Sequence, residues 1–327
     1  MAHLFDSQWL GGAVPLNNRI VMAPITRTRT CHRDIPNTLT AAYYGQWASA
    51  GLIVAEVADV APSSNGYAMT PGISTEAEMH GWRLVTDEVH RKGGIIFSQI
   101  GHIGRMAHPS LMPNGEARWG VTEQQAETEE VPALVGSCSQ AFANARRAGF
   151  DGIEIHTAQG HLFDQLMNPA FNTRTDRCGG GSVEDRTRFL MDVVDVAVRE
   201  WGLGRIGIRL APLGACKSMS PDPLTEETLL YVSEQLGRRG VAYMHLVYEL
   251  IPTDNMNTAV SNKLLVDRAL LAKVRAAFPG AIIWCGSFTD VESAQAALDT
   301  GLVDLIALSD PVSQTRILPS ISSTAGR

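Results

Sequence analysis

Eight short apolar runs in this sequence each end beside small or polar residues, and those positions hold most of the groups able to do chemistry. In chain order they are Thr26 after Pro24, Ala58, Gln99 with His102, His156 with Gln159 and His161, Arg209, Tyr248 with Glu249, Gly286 with Ser287, and Ser309 with Asp310. The set is rich in amide, imidazole, hydroxyl and guanidinium donors and poor in carboxylates. Such donors polarise a carbonyl oxygen or hold an electron-rich, anionic ring. Two competing chemistries fit less well. A metal hydrolase would draw on His102, His108, His156 and His161, but the first run ends in Pro24-Ile25-Thr26 without a histidine pair, so no metal is expected. A retaining glycosidase needs two facing carboxylates, and only Glu249 and Asp310 are candidates.

Taken singly, each group has an ordinary structural reading. Thr26 could cap a turn after Pro24, and Gln99 could satisfy a buried backbone group. Arg209 could form an ion pair, although no acid adjoins it in sequence. His156 could be a core histidine with its hydrogen bonds met. Their joint placement at four different run ends favours a site.

The elements that would position them follow from periodicity. The runs are Ile20–Pro24, Leu52–Val57, Ile95–Gln99, Gly152–His156, Ile206–Leu210, Tyr243–Val247, Ile282–Cys285 and Asp304–Leu308. Each is nearly continuous in apolar residues, as strands buried on both faces are, and helical segments alternate with them. Thr75-x-x-Glu78 and Thr289-x-x-Glu292 have the capping-box spacing, and Ser182-x-x-Asp185 is a weaker version. Gly51, Gly93, Gly149, Gly240 and Gly301 stand where helices should close before the next strand. Eight parallel strands with crossover helices predict an α/β fold, a single (β/α)8 barrel domain over residues 1–327 with its pocket at the carboxyl ends of the strands. Two long connections, 104–132 and 249–263, follow strand ends and should hang over that pocket.

Composition narrows the class. With 45% hydrophobic and 19% charged residues, the 327-residue chain can bury a large core. A net charge of −7 without a basic cluster argues against a nucleic-acid partner. The five cysteines (Cys31, Cys138, Cys178, Cys216, Cys285) have no C-x-x-C spacing, which fits reduced thiols. Met1–Leu10 lacks a basic flank followed by an apolar run, and no apolar stretch is long enough to span a bilayer. The expectation is a cytoplasmic protein with a small-molecule substrate, no membrane or nucleic-acid partner, and scope for homo-oligomers.

The stretches Asn18 to Arg27, Tyr43 to Ile53, Gln99 to Arg105, Gly149 to Gln165, Asn172 to Asp176 and Gly207 to Pro212, taken in that order, resemble the old yellow enzyme family of FMN-dependent ene reductases. The resemblance implies FMN as cofactor and NAD(P)H as reductant. By it, Pro24 and Thr26 would border the flavin edge, Ala58 would leave room beside it, and Gln99 would pair with the pyrimidine part of the ring. Arg209 would stabilise the negative charge of the reduced ring. His156 would donate to the substrate carbonyl oxygen and make the β-carbon a hydride acceptor.

The departures from the pattern are concentrated in the pocket. The family's H-x-x-N-G-Y is His156-Thr157-Ala158-Gln159-Gly160-His161 here, so Gln159 lengthens the second donor and His161 replaces the tyrosine acid. That leaves His161 or Tyr248 as proton source. Gly101 stands where a bulky aromatic often precedes His102, which predicts a larger pocket for a larger or differently oriented substrate. Cys178 replaces a loop tyrosine. The phosphate motifs become Gly286-Ser287 and Ser309-Asp310, and an aspartate facing a dianion is repulsive. Two functions are therefore expected. One is reduction of the C=C bond of an enone or enal with FMN and NAD(P)H. The other is a flavin-weakened or flavin-free isomerisation, cyclisation or cycloaddition of a polyene natural-product intermediate, as in secondary metabolism.

Overall fold

The computed structural model describes residues 2–30, 34–107, 109–111, 130–212, 222–247, 268–286, 288 and 290–309. An antiparallel hairpin comes first, β1 (Gln8–Leu10) with β2 (Val14–Leu16). The barrel strands follow: β3 (Ile20–Met22), β4 (Leu52–Val54), β5 (Ala58–Asp59), β6 (Ile96–Gly101), β7 (Gly152–His156), β8 (Ile206–Leu210), β9 (Tyr243–Val247), β10 (Ala281–Cys285) and β11 (Leu305–Leu308). All pairings among them are parallel, and β11 pairs with β3, which closes the sheet. The run expected as one strand over Leu52–Val57 is broken. β4 and β5 each pair with β6, with a bend at Ala55–Val57 between them, so they fill one of eight staves. The fold is the expected (β/α)8 barrel.

Strand parity builds two apolar layers. Alternate residues Val21, Ala23, Leu52, Val54, Phe97, Tyr243, Val247, Ile283, Cys285, Leu305 and Ala307 form the interior cluster, and Leu10, Val14 and Leu16 of the hairpin join it. The residues between them, such as Ile53, Ile153, Ile155, Ile208, Met244 and Leu246, pack outward against the helices. Gly207 must be glycine, because a Cβ there would lie 2.0 Å from the Tyr243 ring that crosses the interior.

The crossover helices are α1 (Thr38–Gly45), α2 (Glu76–Arg91), α3 (Glu130–Arg147), α4 (Leu162–Met167), α5 (Val183–Trp201), α6 (Thr225–Arg238), α7 (Arg268–Ala277) and α8 (Val291–Asp299). Thr75 and Glu78 form the expected capping box on α2, and the Ser182 hydroxyl accepts from Asp185 N–H on α5. At α8 the cap is Asp290 rather than Thr289: its carboxylate accepts from Ser293 N–H at 2.7 Å. Thr289 lies outside the described residues. Gly93, Gly149, Gly240 and Gly301 take the positive φ of a helix stop, but Gly51 does not. Gly51 is required for close approach instead, since a Cβ there would meet the Asn18 carbonyl oxygen at 2.1 Å. Among the described residues no helix is long and apolar enough to cross a membrane. Of the two long connections, 104–107, 109–111 and 130–132 are described.

Candidate active site

His156 and Arg209 end adjacent strands and are partners in the β7–β8 register. Thr157 ties the two ends together, donating both its N–H (3.0 Å) and its hydroxyl (2.6 Å) to the Arg209 carbonyl. After β7 the chain turns through Gln159 (φ 59°) and Gly160 (φ 78°), both left-handed. Asp164 of α4 holds that turn by accepting from Gly160 N–H at 2.8 Å. The turn brings His161 back against His156, with ring centroids 4.4 Å apart and planes at 90°. His102 lies next to this pair, its Nδ1 accepting from Gly104 N–H at 3.0 Å, so its proton sits on Nε2.

All three imidazoles are buried and held neutral. Burial, reinforced by the neighbouring His161, lowers His102 to about 3, and burial with Arg209 lowers His161 to about 4. His156 is pushed well below the usual histidine range by burial and by His161, Arg209 and His245. Nδ1 of His156 and of His161 have no hydrogen-bond partner among the described residues. Gln159 is half-buried beside them. The cluster can donate to a carbonyl oxygen without carrying charge. Among the described residues no group of three or more His, Cys, Asp or Glu side chains is arranged to hold a metal ion.

One layer deeper lies a polar network that periodicity does not single out. Glu154 is fully buried on β7. Its Oε1 accepts from Gln99 Nε2 at 2.7 Å, and its Oε2 accepts from the Tyr243 hydroxyl at 3.1 Å and His245 Nδ1–H at 2.8 Å. Burial raises the Glu154 carboxyl, but His245, Arg209 and Gln99 more than offset this and leave it below its ordinary value. Burial lowers His245. Gln99 thus bonds a side chain and not a buried backbone group. Arg209 helps to lower the Glu154 carboxyl electrostatically, but among the described residues no ion pair joins the two and its Nε and Nη1 have no hydrogen-bond partner. The signal is present in the runs Gly-Ile-Glu-Ile-His and Tyr-Met-His-Leu-Val, where a charged or polar residue shares the parity of the interior positions.

On the other side of the barrel mouth, Pro24 is half-buried and Thr26 exposed. The next residue anchors this segment. Arg27 pairs with the buried Glu56, Nε to Oε1 at 2.7 Å, and stacks on Tyr43 and Tyr44 at 4.4 and 4.7 Å. Tyr44 in turn accepts from Glu56 N–H through its hydroxyl at 2.8 Å. Ala58 is fully buried on β5, paired with Ile100.

Gly101 corrects an expectation. A Cβ there would lie 2.8 Å from Val57 Cγ2 and 3.2 Å from His156 Cβ, so the position is closed by its neighbours and does not enlarge the pocket. At the remaining strand ends Gly286 is buried and Ser309 half-buried. Tyr248, Ser287 and Asp310 lie outside the described residues.

A flavin ring fits the side of the site that is described. A buried guanidinium with two unpartnered nitrogens needs acceptors, and an electron-rich heterocycle supplies them. Gln99 presents an amide edge of the kind an imide pairs with. Arg209 and Gln99 would hold the ring.

Residues 4–313 match the model of the NADH:flavin oxidoreductase / NADH oxidase family. The chain is 36% identical over 318 residues to 12-oxophytodienoate reductase 2 of Arabidopsis thaliana, covering 90% of this chain and 82% of that protein. It is 35% identical over 314 residues to 12-oxophytodienoate reductase 1 of Oryza sativa subsp. japonica, with coverage of 90% and 80%. Among solved structures, morphinone reductase in complex with tetrahydroNAD superposes with a TM-score of 0.88 at 34% identity, covering all of this chain and 92% of that one.

Proposed function

Because the chain belongs to the NADH:flavin oxidoreductase / NADH oxidase family, the old yellow enzymes, we propose that it reduces the C=C bond of an enone or enal with FMN and NAD(P)H. FMN, when bound, carries hydride from the nicotinamide to the conjugated double bond. The observation that carries the reading is Arg209, buried beside a cluster of neutral histidines with no hydrogen-bond partner for Nε and Nη1 among the described residues. Such a pairing suits an anionic ring on one side and a carbonyl on the other.

His156 and Gln159 donate to the substrate carbonyl oxygen, and a neutral imidazole does this at any pH above its lowered pKa. His161, at about 4, is protonated in only about one molecule in a thousand at pH 7. It therefore serves better as a hydrogen-bond donor to His156 or substrate than as an acid, which favours Tyr248 as the proton source. Pro24, Thr26, Ala58, Gly286 and Ser309 border the cofactor, and His102 backs the substrate pocket.

The redox-neutral alternative draws on Gly101, His161, Ser287 and Asp310. Gly101 does not support it, because that position is closed by Val57 and His156. The test is a titration of the purified protein with FMN, followed by NADPH or NADH without oxygen and then by cyclohexenone. Binding, bleaching and recovery of the visible flavin bands support reduction. A protein that stays colourless and does not quench FMN fluorescence sinks it.

A further inference from the structure

Glu154 has no part in the proposed reduction, yet its buried carboxylate accepts three side-chain hydrogen bonds inside the barrel. Three of its four lone-pair positions are taken by uncharged donors, from Gln99, Tyr243 and the buried His245. Arg209 stands on the neighbouring strand, paired in register with His156 on one side and His245 on the other. A guanidinium beside a buried carboxylate ordinarily closes onto it as a bidentate pair and uses up its donors. Here Tyr243 and His245 occupy one carboxylate oxygen and Gln99 the other, so that bidentate approach is blocked. Among the described residues Nε and Nη1 of Arg209 have no hydrogen-bond partner.

The same carboxylate decides how Gln99 is turned. An ionised carboxylate only accepts hydrogen bonds, so the amide must face it with nitrogen and present oxygen and one remaining N–H elsewhere. Were Glu154 neutral and able to donate, either orientation would be allowed.

We propose that Glu154, held by Tyr243 and His245, is a positioning residue for the flavin-ring site, fixing the polarity of the Gln99 amide and leaving the donors of the Arg209 guanidinium open. This rests on the FMN reading of the site. It predicts two variants with opposite signatures. Glu154→Gln lets the Gln99 amide flip and removes the counter-charge from Arg209. Oxidised FMN then binds about tenfold more weakly while reduced FMN holds near wild type, a rise in midpoint potential of about 30 mV for a two-electron couple. Tyr243→Phe frees a lone pair on Oε2, lets Glu154 engage Arg209, weakens reduced FMN and moves the potential the other way.

The experiment measures FMN dissociation constants by fluorescence, midpoint potentials by dye equilibration, and Tm of each apoprotein. Opposite shifts in potential establish the role, and Tyr243→Phe decides by its sign alone if Glu154→Gln does not fold. Wild-type potentials and affinities in folded variants, even with a lowered Tm, overturn it and leave Glu154 a purely structural group. A wild-type chain that takes up no FMN overturns the functional reading and this one with it.

Discussion

Gly101→Ala separates a packed glycine from an open pocket. Gly101 ends β6, and the methyl group would be placed 2.8 Å from Val57 Cγ2 and 3.2 Å from His156 Cβ. Carbon atoms settle at about 3.5–4.0 Å, so Val57 must retreat by roughly 0.7 Å or more. It has little room, being buried in the short bend between β4 and β5, where Asp59 is tied to Pro71 and Gly101 to Val60 by backbone hydrogen bonds. Overpacking of this kind costs about 1–3 kcal/mol. At ~2.1 cal/mol/K of unfolding entropy per residue, this 327-residue chain loses about 1.5 °C of Tm per kcal/mol, so the melt should drop about 2–4 °C. Val57→Ala removes the obstructing methyl, and the double variant should recover about 1–2 kcal/mol of the Gly101→Ala penalty as coupling. Calorimetric melts of the wild type, both single variants and the double variant complete the cycle. A Gly101→Ala protein that melts with the wild type, or penalties that simply add, would refute the reasoning and restore an open space above β6.

Three further outcomes follow from the site. His102, His156 and His161 have folded pKa values below the usual 6.5, so between about pH 4 and 6.5 the unfolded chain binds more protons and stability is lost as pH falls through that window. Asp164, raised to about 7 chiefly by burial, acts in the opposite sense over about pH 4–7, as do Asp59 and Asp222, whose carboxyls burial also raises, so the histidine share is read from the change in slope between wild type and variant. Urea melts should show this slope, and His161→Gln should flatten it; an unchanged slope in that variant argues against a buried neutral His161. Asp164→Ala removes the acceptor of Gly160 N–H and should cost about 1 kcal/mol or more while raising KM more than it lowers kcat, because the Gln159 turn loosens. A wild-type Tm and KM would show that the turn holds itself. Arg27→Ala leaves Glu56 buried without its cation and strips the stack on Tyr43 and Tyr44, at a cost of about 3–5 kcal/mol. A loss below about 1 kcal/mol in thermal melts would show that the pair is dispensable.

The barrel is legible in the sequence because its strands are buried on both faces. β7, β8 and β9 fall on the residues that the apolar runs mark. The run at Leu52–Val57 reads as one strand, wrongly, because Ala55, Glu56 and Val57 have the composition of a strand but bend around Glu56, whose backbone N–H and carboxylate are claimed by Tyr44 and Arg27. The groups at the strand ends are legible for the same reason as the strands, since a polar residue that closes an apolar run stands out by contrast with it. Glu154 and His245 are not, because each sits in mid-run, where polar side chains are rare and single-sequence reasoning reads through them. Gly101 misleads because a missing side chain looks like space until the neighbours that fill it, Val57 and His156, are known.

Strand β7 shows why these failures and successes share one cause. Its inward residues are Gly152, Glu154 and His156, so two-residue periodicity places one requirement at each depth of the barrel. At the lowest level Gly152 leaves room for Phe97, whose ring a Cβ would meet at 2.4 Å. Above it Glu154 spends lone pairs on Gln99, Tyr243 and His245, three donors from β6 and β9, and Gly207 of β8 leaves room for the Tyr243 ring. At the top His156 stands neutral beside His161 and Arg209, whose Nε and Nη1 have no partner among the described residues. Burial, with the charges of its neighbours, keeps the imidazole at the mouth uncharged, and the carboxylate beneath is already occupied by three other donors. The chemistry at the strand ends is therefore set two residues further down the same strand.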